Sequence, residues 1–342
     1  MLHKNREKYL AYGLDFTPEE ARLRNDFAIW LPDKIIDCHA HSNLPEHVED
    51  IPEKVYQHML STFPSFTIEE SESAKQLFYP GKRVQTLRFA TTFRGINHRK
   101  ANEYLLEHSG INDRIALFGL PEDVEYTINM LSHPRVSALK MYYSYIEPTA
   151  TEIYQCFKPN ILEVAEGLDI PIILHLPKIV TVSKEDLLQV VRDFPRLRIV
   201  VAHLGSTKFL IPGLEKAYTE LAQKTNVSLD TSLNPSKEVV ELALRIFGSD
   251  RIMFGSDEPF HLIRSKPYEH PEKGQRIITE YPYHWIDPKE YKQYVHLTKG
   301  AVHCHWLSLN ALRSAINSFS EQEQESIKSK VFYENAKKLY GF

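Results

Sequence analysis

Short apolar runs alternate with amphipathic segments along most of the chain. Each run is nearly continuous in branched and large apolar residues, as expected of strands that are buried on both faces. Eight such runs occur, at residues 34–38, 85–91, 114–120, 136–142, 170–176, 198–204, 227–231 and 251–256. Segments with helical periodicity follow most of them. The pattern therefore predicts an α/β fold in which parallel strands and helices close into a (β/α)8 TIM barrel.

A doubly wound open sheet is the alternative architecture. Such sheets usually have fewer strands and carry a glycine-rich phosphate loop. The sequence contains neither a G-x-G-x-x-G motif nor a P-loop, so the barrel is favoured.

Capping residues predict where two helices begin. Thr17, followed by Glu20, predicts a helix that precedes the first strand. Ser183, followed by Asp186, predicts the start of the helix after the fifth strand. Residues 1–33 are therefore interpreted as a helical extension of a single domain that spans residues 1–342.

Two segments do not fit the strand–helix repeat. Residues 42–84 follow the first strand and residues 258–300 follow the last, and both are unusually long. Loops after barrel strands lie on the face where TIM-barrel active sites are found. We therefore expect both segments to be inserted loops over the active-site face.

Composition excludes some classes of partner. The formal net charge is −4 with both signs interspersed, so we expect neither nucleic-acid nor membrane binding. The chain has three widely separated cysteines and no apolar signal sequence at its start. These features favour a cytoplasmic enzyme with a small-molecule substrate, and they leave open whether it forms a homo-oligomer.

Polar residues end four of the apolar runs. His39 and His41 end the first, His175 the fifth, His203 the sixth and Asp257 the eighth. The carboxyl ends of barrel strands meet at one mouth. Residues i and i+2 of a strand point to the same side, so His39 and His41 can chelate one ion. Imidazole and carboxylate are ligands that suit Zn²⁺ and similar divalent ions.

A second H-x-H motif serves as a comparison. His303 and His305 have the same spacing, but they begin a segment with helical periodicity. On a helix, residues i and i+2 lie about 200° apart. We therefore expect this pair to point apart and not to chelate an ion.

Six motifs carry a resemblance to a known family: DCHAH, LKMYY, LHLP, VAHLG, MFGSDEP and ENAKKLYG. Their order resembles the amidohydrolase superfamily, in particular the amidohydrolase-related family that includes aminocarboxymuconate-semialdehyde decarboxylase. The resemblance runs from about residue 34 to the C-terminus. It implies that His39, His41, His175 and Asp257 bind a metal ion. It also implies that His203 is the acid–base residue and that Asp257 relays its proton.

Lys140, in the LKMYY motif, determines the number of metal ions. In binuclear relatives a lysine on this strand is carboxylated and bridges two ions. The alternative is a buried lysine that pairs with a carboxylate or with the substrate. Most of the motifs resemble the mononuclear branch, which implies one ion per chain, with Zn²⁺ preferred, and two ions only if Lys140 is carboxylated.

The resemblance implies a hydrolase in which metal-activated water attacks a carbonyl-type carbon. The alternative is a non-oxidative decarboxylase or hydratase of a small carboxylic acid, which would use the same ligands. A non-catalytic binding barrel is disfavoured because all five polar positions are present.

Several residues are weaker candidates. Arg94, His98 and His261 are candidates for substrate binding, since arginine is suited to bidentate carboxylate recognition. Asp230 is interpreted as a cap of the loop after the seventh strand. Alternation along the first strand predicts that Cys38 points outward, into the layer between barrel and helices.

Overall fold

Eight parallel strands, hydrogen-bonded in chain order, form the main sheet. The computed structural model describes residues 16–49, 65–92, 95–143, 150–282 and 286–342. The strands are β1 (Lys34–His41), β2 (Arg83–Phe89), β3 (Arg114–Phe118), β4 (Val136–Met141), β5 (Ile172–Leu174), β6 (Ile199–Val201), β7 (Val227–Asp230) and β8 (Ile252–Met253).

Helices follow most of these strands. In chain order the α-helices are α1 (Pro18–Trp30), α2 (Ile68–Phe78), α3 (His98–His108), α4 (Val124–Leu131), α5 (Ile153–Cys156), α6 (Pro159–Gly167), α7 (Val180–Asp193), α8 (Leu214–Ala222), α9 (Lys237–Phe247), α10 (Pro288–Tyr294), α11 (Cys304–Ile316), α12 (Glu321–Ser329) and α13 (Asn335–Tyr340). Within the described ranges, none of them combines the length and apolarity that a membrane span requires.

Backbone hydrogen bonds between β1 and the segment of β8 close the sheet. The amide of Cys38 donates to the carbonyl of Phe254 at 3.0 Å, and the amide of Asp257 donates to the carbonyl of His39 at 2.8 Å. The amide of His41 donates to the carbonyl of Glu258 at 2.7 Å. The predicted (β/α)8 TIM barrel is confirmed.

Strand β1 contains a bulge that the sequence pattern does not reveal. From Asp37 to Ala40 it advances three residues while β2 advances two, from 86 to 88. A bulge adds a residue to one strand and redirects the side chains that follow. Cys38 packs with Ile36 in the apolar cluster inside the barrel, as alternation from Ile36 requires, and the prediction that it points outward is wrong. His39 and His41 still reach the mouth.

The interior of the barrel is filled by alternate side chains of the strands. Ile36, Leu87, Ile173 and Val200 belong to this inner cluster. Tyr340 of α13 packs against the same cluster, so the C-terminal helix covers one end of the barrel. The site at the other end therefore lies on a packed and rigid base.

Helix capping agrees with the prediction at one position and differs at the other. Thr17 and Glu20 form the predicted capping box of α1. Helix α7 begins at Val180, before Ser183, so Ser183 is not its N-cap. The Ser183 hydroxyl instead bonds to the backbone of Lys178 at 3.2 Å.

Both long segments contain regular structure in their described parts. The first contributes α2, and the second contributes a hairpin of β9 (Arg264–His270) and β10 (Gly274–Thr279). A short strand β11 (Val302–His303) pairs with β9, so these three strands form an antiparallel sheet. Ser71 of α2 donates a hydrogen bond of 2.5 Å to Glu258, which ties the two segments together.

Candidate metal centre

Three potential ligand atoms converge at the mouth of the barrel. His39, His41 and Asp257 each offer one such atom, and these atoms lie within 4.8 Å of one another. Nε2 of His41 is 3.0 Å from Oδ1 of Asp257, and Nε2 of His39 is 3.3 Å from the same oxygen. All three residues are buried. They come from β1 and the loop after β8, as the sequence predicted.

The Nδ1 atoms of His39 and His41, which point away from Asp257, form hydrogen bonds with other residues. Nδ1 of His41 donates to the carbonyl of Ala90 at 3.0 Å, and Nδ1 of His39 lies 2.9 Å from Oδ2 of Asp230. If both imidazoles are neutral, both Nε2 atoms present lone pairs toward Asp257. Such an arrangement suits a cation, so these residues fit a divalent metal ion.

Burial and neighbouring charges set the protonation states of His39 and Asp257. Burial lowers the pKa of His39 to about 4, which keeps its imidazole neutral near pH 7. Burial alone would raise the pKa of Asp257, but His203 and His39 hold it well below its usual range. His39 is therefore a neutral imidazole and Asp257 a carboxylate, the states in which these side chains bind metals.

His203 and His175 lie next to this group. The ring centroid of His203 is 4.8 Å from that of His39 and 4.8 Å from that of His175. The ring of Tyr142 lies 4.9 Å from that of His175. His175 is outside the three-residue group, so its role as a further ligand stays a prediction.

A left-handed backbone turn positions His203 after β6. Four consecutive residues have positive φ, namely His203 at 55°, Leu204 at 50°, Gly205 at 74° and Ser206 at 60°. Non-glycine residues rarely adopt this conformation, and it persists only where surrounding contacts enforce it.

Three contacts hold this turn. The amide of His203 donates to Oδ1 of Asp230 at 2.9 Å. The hydroxyl of Tyr218 donates to the carbonyl of Leu204 at 2.7 Å. Gly205 lies against Val180, and a Cβ atom at Gly205 would be 2.5 Å from the Cβ of Val180. The strained turn is therefore fixed by its neighbours.

Asp230 makes more contacts than the predicted role of a loop cap requires. Its carboxylate accepts a hydrogen bond of 3.1 Å from the backbone amide of Ser232 and so caps the loop after β7, as predicted. The same carboxylate also reaches His39 and the backbone of His203. One signal could have identified it, because Asp230 is a polar residue at the carboxyl end of a barrel strand, like the predicted ligands.

Lys140 lies on the inner side of β4, beside the candidate metal centre. It is 1 % exposed, and among the described residues its Nζ has no hydrogen-bond partner. The amine is 5.2 Å from the ring centroid of Phe89. Burial lowers the pKa of Lys140 to about 8. Its role in a second metal site or in substrate binding stays a prediction.

The candidates for substrate binding lie in different surroundings. Arg94 lies outside the described residues. His98 is the first residue of α3, and its Nε2 is 2.7 Å from Oδ2 of Asp123. His261 is buried, with its ring centroid 5.2 Å from that of His305. Substrate binding by these residues stays a prediction.

The second H-x-H motif is split between two elements. His303 belongs to β11, and its Nδ1 lies 2.6 Å from Oε1 of Glu20. His305 lies in the first turn of α11. Neither belongs to the three-residue ligand group found among the described residues.

A TIM barrel with two histidines and an aspartate at the carboxyl ends of its strands is typical of metal-dependent barrel enzymes. Residues 36–342 match the family model described as Amidohydrolase, so the chain belongs to the amidohydrolase family. The resemblance seen in the sequence is thereby confirmed. No curated protein matches the chain.

Solved structures share this fold at low sequence identity. Amidohydrolase 2 from Bifidobacterium longum subsp. infantis is 13% identical, with a TM-score of 0.57 over 91% of this chain and 100% of that chain. A protein assigned as a 2-pyrone-4,6-dicarboxylic acid hydrolase from Pseudomonas putida is 14% identical, with a TM-score of 0.57 over 91% of this chain and 98% of that chain. The 5-carboxyvanillate decarboxylase of Novosphingobium aromaticivorans was solved in complex with manganese and 4-hydroxy-3-methoxy-5-nitrobenzoic acid. It is 12% identical, with a TM-score of 0.53 over 90% of this chain and 96% of that chain.

Proposed function

We propose that the protein is a metal-dependent hydrolase of a small-molecule substrate. The observation that carries this proposal is the buried His39, His41 and Asp257 group with His203 beside it. When bound, a divalent ion polarises a carbonyl group and lowers the pKa of water. Zn²⁺ is the first candidate and Mn²⁺ the second, since imidazole and carboxylate ligands accept both.

Residues of the chain are proposed as metal ligands and as the groups that transfer the proton. His39, His41 and Asp257 would hold the ion, and His175 is the proposed fourth protein ligand. His203 is the proposed acid–base residue. Because Nδ1 of His203 contacts Ser232 at 2.8 Å, Nε2 is the nitrogen that would exchange a proton with the reacting group. Asp257 would pass this proton onward.

Aromatic side chains next to the metal group favour a planar substrate. The ring centroids of Phe89 and Phe260 lie 4.5 and 5.4 Å from that of His41. Tyr142 and Tyr143 flank His175 in the same way. Phe89 is fully buried, whereas Phe260, Tyr142 and Tyr143 are half-buried and offer ring surface on which an aromatic or unsaturated ligand can pack.

Non-oxidative decarboxylation of a small carboxylic acid is the second candidate function. The aromatic surroundings support it as well as they support hydrolysis. A manganese-containing decarboxylase that acts on an aromatic acid shares the fold. The two candidates would use the same residues and differ in the bond that is broken.

Metal analysis followed by a substrate screen tests the proposal. The purified protein would be loaded with Zn²⁺ or Mn²⁺ and offered esters, lactones and amides of aromatic acids, together with the free acids. We expect metal-dependent formation of the hydrolysis products without release of CO₂, and we expect His41→Ala to abolish it. Release of CO₂ from the free acids would favour the second candidate. Absence of bound metal and of any turnover would support a non-catalytic binding barrel.

A further inference from the structure

We propose that Ser232 is a positioning residue that fixes the tautomer of His203. Its hydroxyl oxygen lies 2.8 Å from Nδ1 of His203 and donates a hydrogen bond to Oδ1 of Asp230. Ser232 is fully buried. The proposal rests on the acid–base role of His203 in the proposed function, and it adds the residue that sets which ring nitrogen exchanges the proton.

The direction of each hydrogen bond follows from the donors that surround Asp230. Oδ1 of Asp230 accepts from the backbone amides of His203 at 2.9 Å and Ser232 at 3.1 Å. Since amides can only donate, this oxygen acts as an acceptor, and the hydroxyl proton of Ser232 points to it. The hydroxyl oxygen then accepts a proton from Nδ1 of His203.

A second acceptor requires the same tautomer. The backbone carbonyl of Ser232 lies 3.2 Å from Nδ1 of His203, and a carbonyl oxygen can only accept. Two atoms of one residue therefore favour a proton on Nδ1. In the neutral imidazole this leaves Nε2 with its lone pair, the state of a general base.

One carboxylate thus orients two histidines with different tasks. Oδ2 of Asp230 contacts Nδ1 of His39, while Oδ1 reaches His203 through Ser232. Removing the hydroxyl of Ser232 breaks the branch to His203, whereas His39, whose Nδ1 lies 3.5 Å from this hydroxyl, keeps its shorter contact of 2.9 Å with Asp230. We therefore expect Ser232→Ala to impair proton transfer while His39 keeps its orientation and the metal remains bound.

Nitrogen NMR of the metal-loaded full chain tests the inference without a substrate. Protein labelled with ¹⁵N-histidine would be compared as wild type, Ser232→Ala and Ser232→Thr, and His203→Gln would assign the signals. We expect the wild type to show Nδ1 protonated and Nε2 unprotonated in His203. Ser232→Ala keeps only the longer contact to the backbone carbonyl at 3.2 Å, so the fraction of His203 protonated on Nε2 should rise above that of wild type. Ser232→Thr, which keeps the hydroxyl, should restore the wild-type state.

Ser228→Ala is the matched control, since Ser228 lies on the same strand two residues before Asp230. It should leave the signals of His203 unchanged. A wild type protonated on Nε2, or a Ser232→Ala spectrum identical to wild type, would overturn the inference. The wild-type spectrum alone shows which nitrogen of His203 is protonated, even if the variants fold poorly.

Turnover and metal content separate this inference from the proposed function. With a substrate in hand, we expect Ser232→Ala to lower turnover about 10- to 100-fold, as for other residues that orient active-site histidines. Its metal content should remain close to that of wild type, because His39 keeps its contact with Asp230. A protein without metal or turnover, but with a Ser232-dependent tautomer, would overturn only the proposed function.

Discussion

Asp230 and His39 are 191 residues apart in the chain, and their side chains meet at 2.9 Å behind the candidate metal centre. The carboxylate is fully buried, and it accepts the proton of Nδ1 so that Nε2 faces Asp257. Carboxylates in this position fix the tautomer of a metal-binding histidine and raise its basicity. Metal binding should therefore depend on Asp230 although it does not belong to the three-residue ligand group.

Replacing Asp230 by asparagine should weaken metal binding. The amide keeps the shape of the side chain but removes the charge that supports Nδ1 of His39. We expect the affinity for Zn²⁺ to fall about 10- to 100-fold, measured by competition with a chromophoric chelator. Asp250→Asn is the control, because Asp250 is exposed and pairs with Lys330. Equal affinities in wild type and Asp230→Asn would contradict the expectation.

The histidines of the site should separate into ligands and an acid–base residue. His41→Ala removes a ligand atom and should leave little bound metal. His203→Ala should retain most of the metal and lower turnover about 10²- to 10⁴-fold. Elemental analysis and kinetics on the same samples check both, with the exposed His108→Ala as control. Complete loss of metal in His203→Ala would instead identify His203 as a ligand.

Lys140 should be unmodified in a protein that holds about one ion per chain. A carboxylated lysine would add a negative charge beside Asp230 and Asp257, both of which act on Lys140 electrostatically. A second cation would be needed to balance it. Elemental analysis together with native mass spectrometry measures both quantities. Two ions per chain, or the mass of added CO₂ on Lys140, would show a binuclear centre.

The sequence predicted the elements of the barrel because its signals are local. Apolar runs mark strands that are covered on both faces, and polar residues at their ends mark the mouth. His39, His41 and Asp257 could be selected in this way, and the structure brings them together. Each of them interrupts an apolar run at the same end, which is a pattern visible in one dimension.

The features that escaped prediction depend on contacts between distant segments. The bulge in β1 arises from pairing with β2, and it breaks the alternation between Cys38 and His39. Counting back from the histidines therefore gave the wrong side for Cys38, which lies with Ile36 inside the barrel. The start of α7 before Ser183 likewise could not be read from a capping pattern alone. The bond from Asp230 to His39 spans β7 and β1. Such relationships become visible only when the strands are placed next to each other.

Gly205 should be difficult to replace because its backbone and its surroundings both exclude a side chain. Its φ is 74°, and a Cβ atom would approach Val180 to 2.5 Å. Gly341 has a similar conformation, with φ of 72° and no atom within 4 Å of its Cβ position. We expect Gly341→Ala to cost about 1–2 kcal/mol of unfolding free energy through conformation alone. Gly205→Ala should cost a further ~1–3 kcal/mol through overpacking.

Urea denaturation of the two glycine variants measures this difference. If both variants lost the same free energy of unfolding, contact with Val180 would have no effect, and the left-handed turn would tolerate a side chain at Gly205. The chemical shifts of His203 should also change in Gly205→Ala and remain unchanged in Gly341→Ala, since only the first residue belongs to the turn that positions the imidazole.

Glu20 should anchor α1 to the antiparallel sheet in a pH-dependent way. It is fully buried, and Arg264 donates two hydrogen bonds to its carboxylate, at 2.9 and 2.7 Å. Burial alone would raise the pKa of Glu20, but hydrogen bonds from His303 and Arg264 lower it from 4.5 to about 2. A lowered pKa stabilises the folded state above pH 4.5, and this contribution is lost as the pH falls toward 2.

Glu20→Gln removes the charge that pairs with the buried guanidinium of Arg264. Breaking a buried ion pair from one side typically costs about 3–5 kcal/mol, so we expect a loss of this size at pH 7. Glu19→Gln is the matched control, because Glu19 lies in the same turn but is half-exposed in its pair with Arg22. Urea denaturation from pH 7 down to pH 3 should show the gap between wild type and Glu20→Gln narrowing below about pH 4.5. A gap that stays constant across this range would mean that the charge of Glu20 does not contribute to its anchoring.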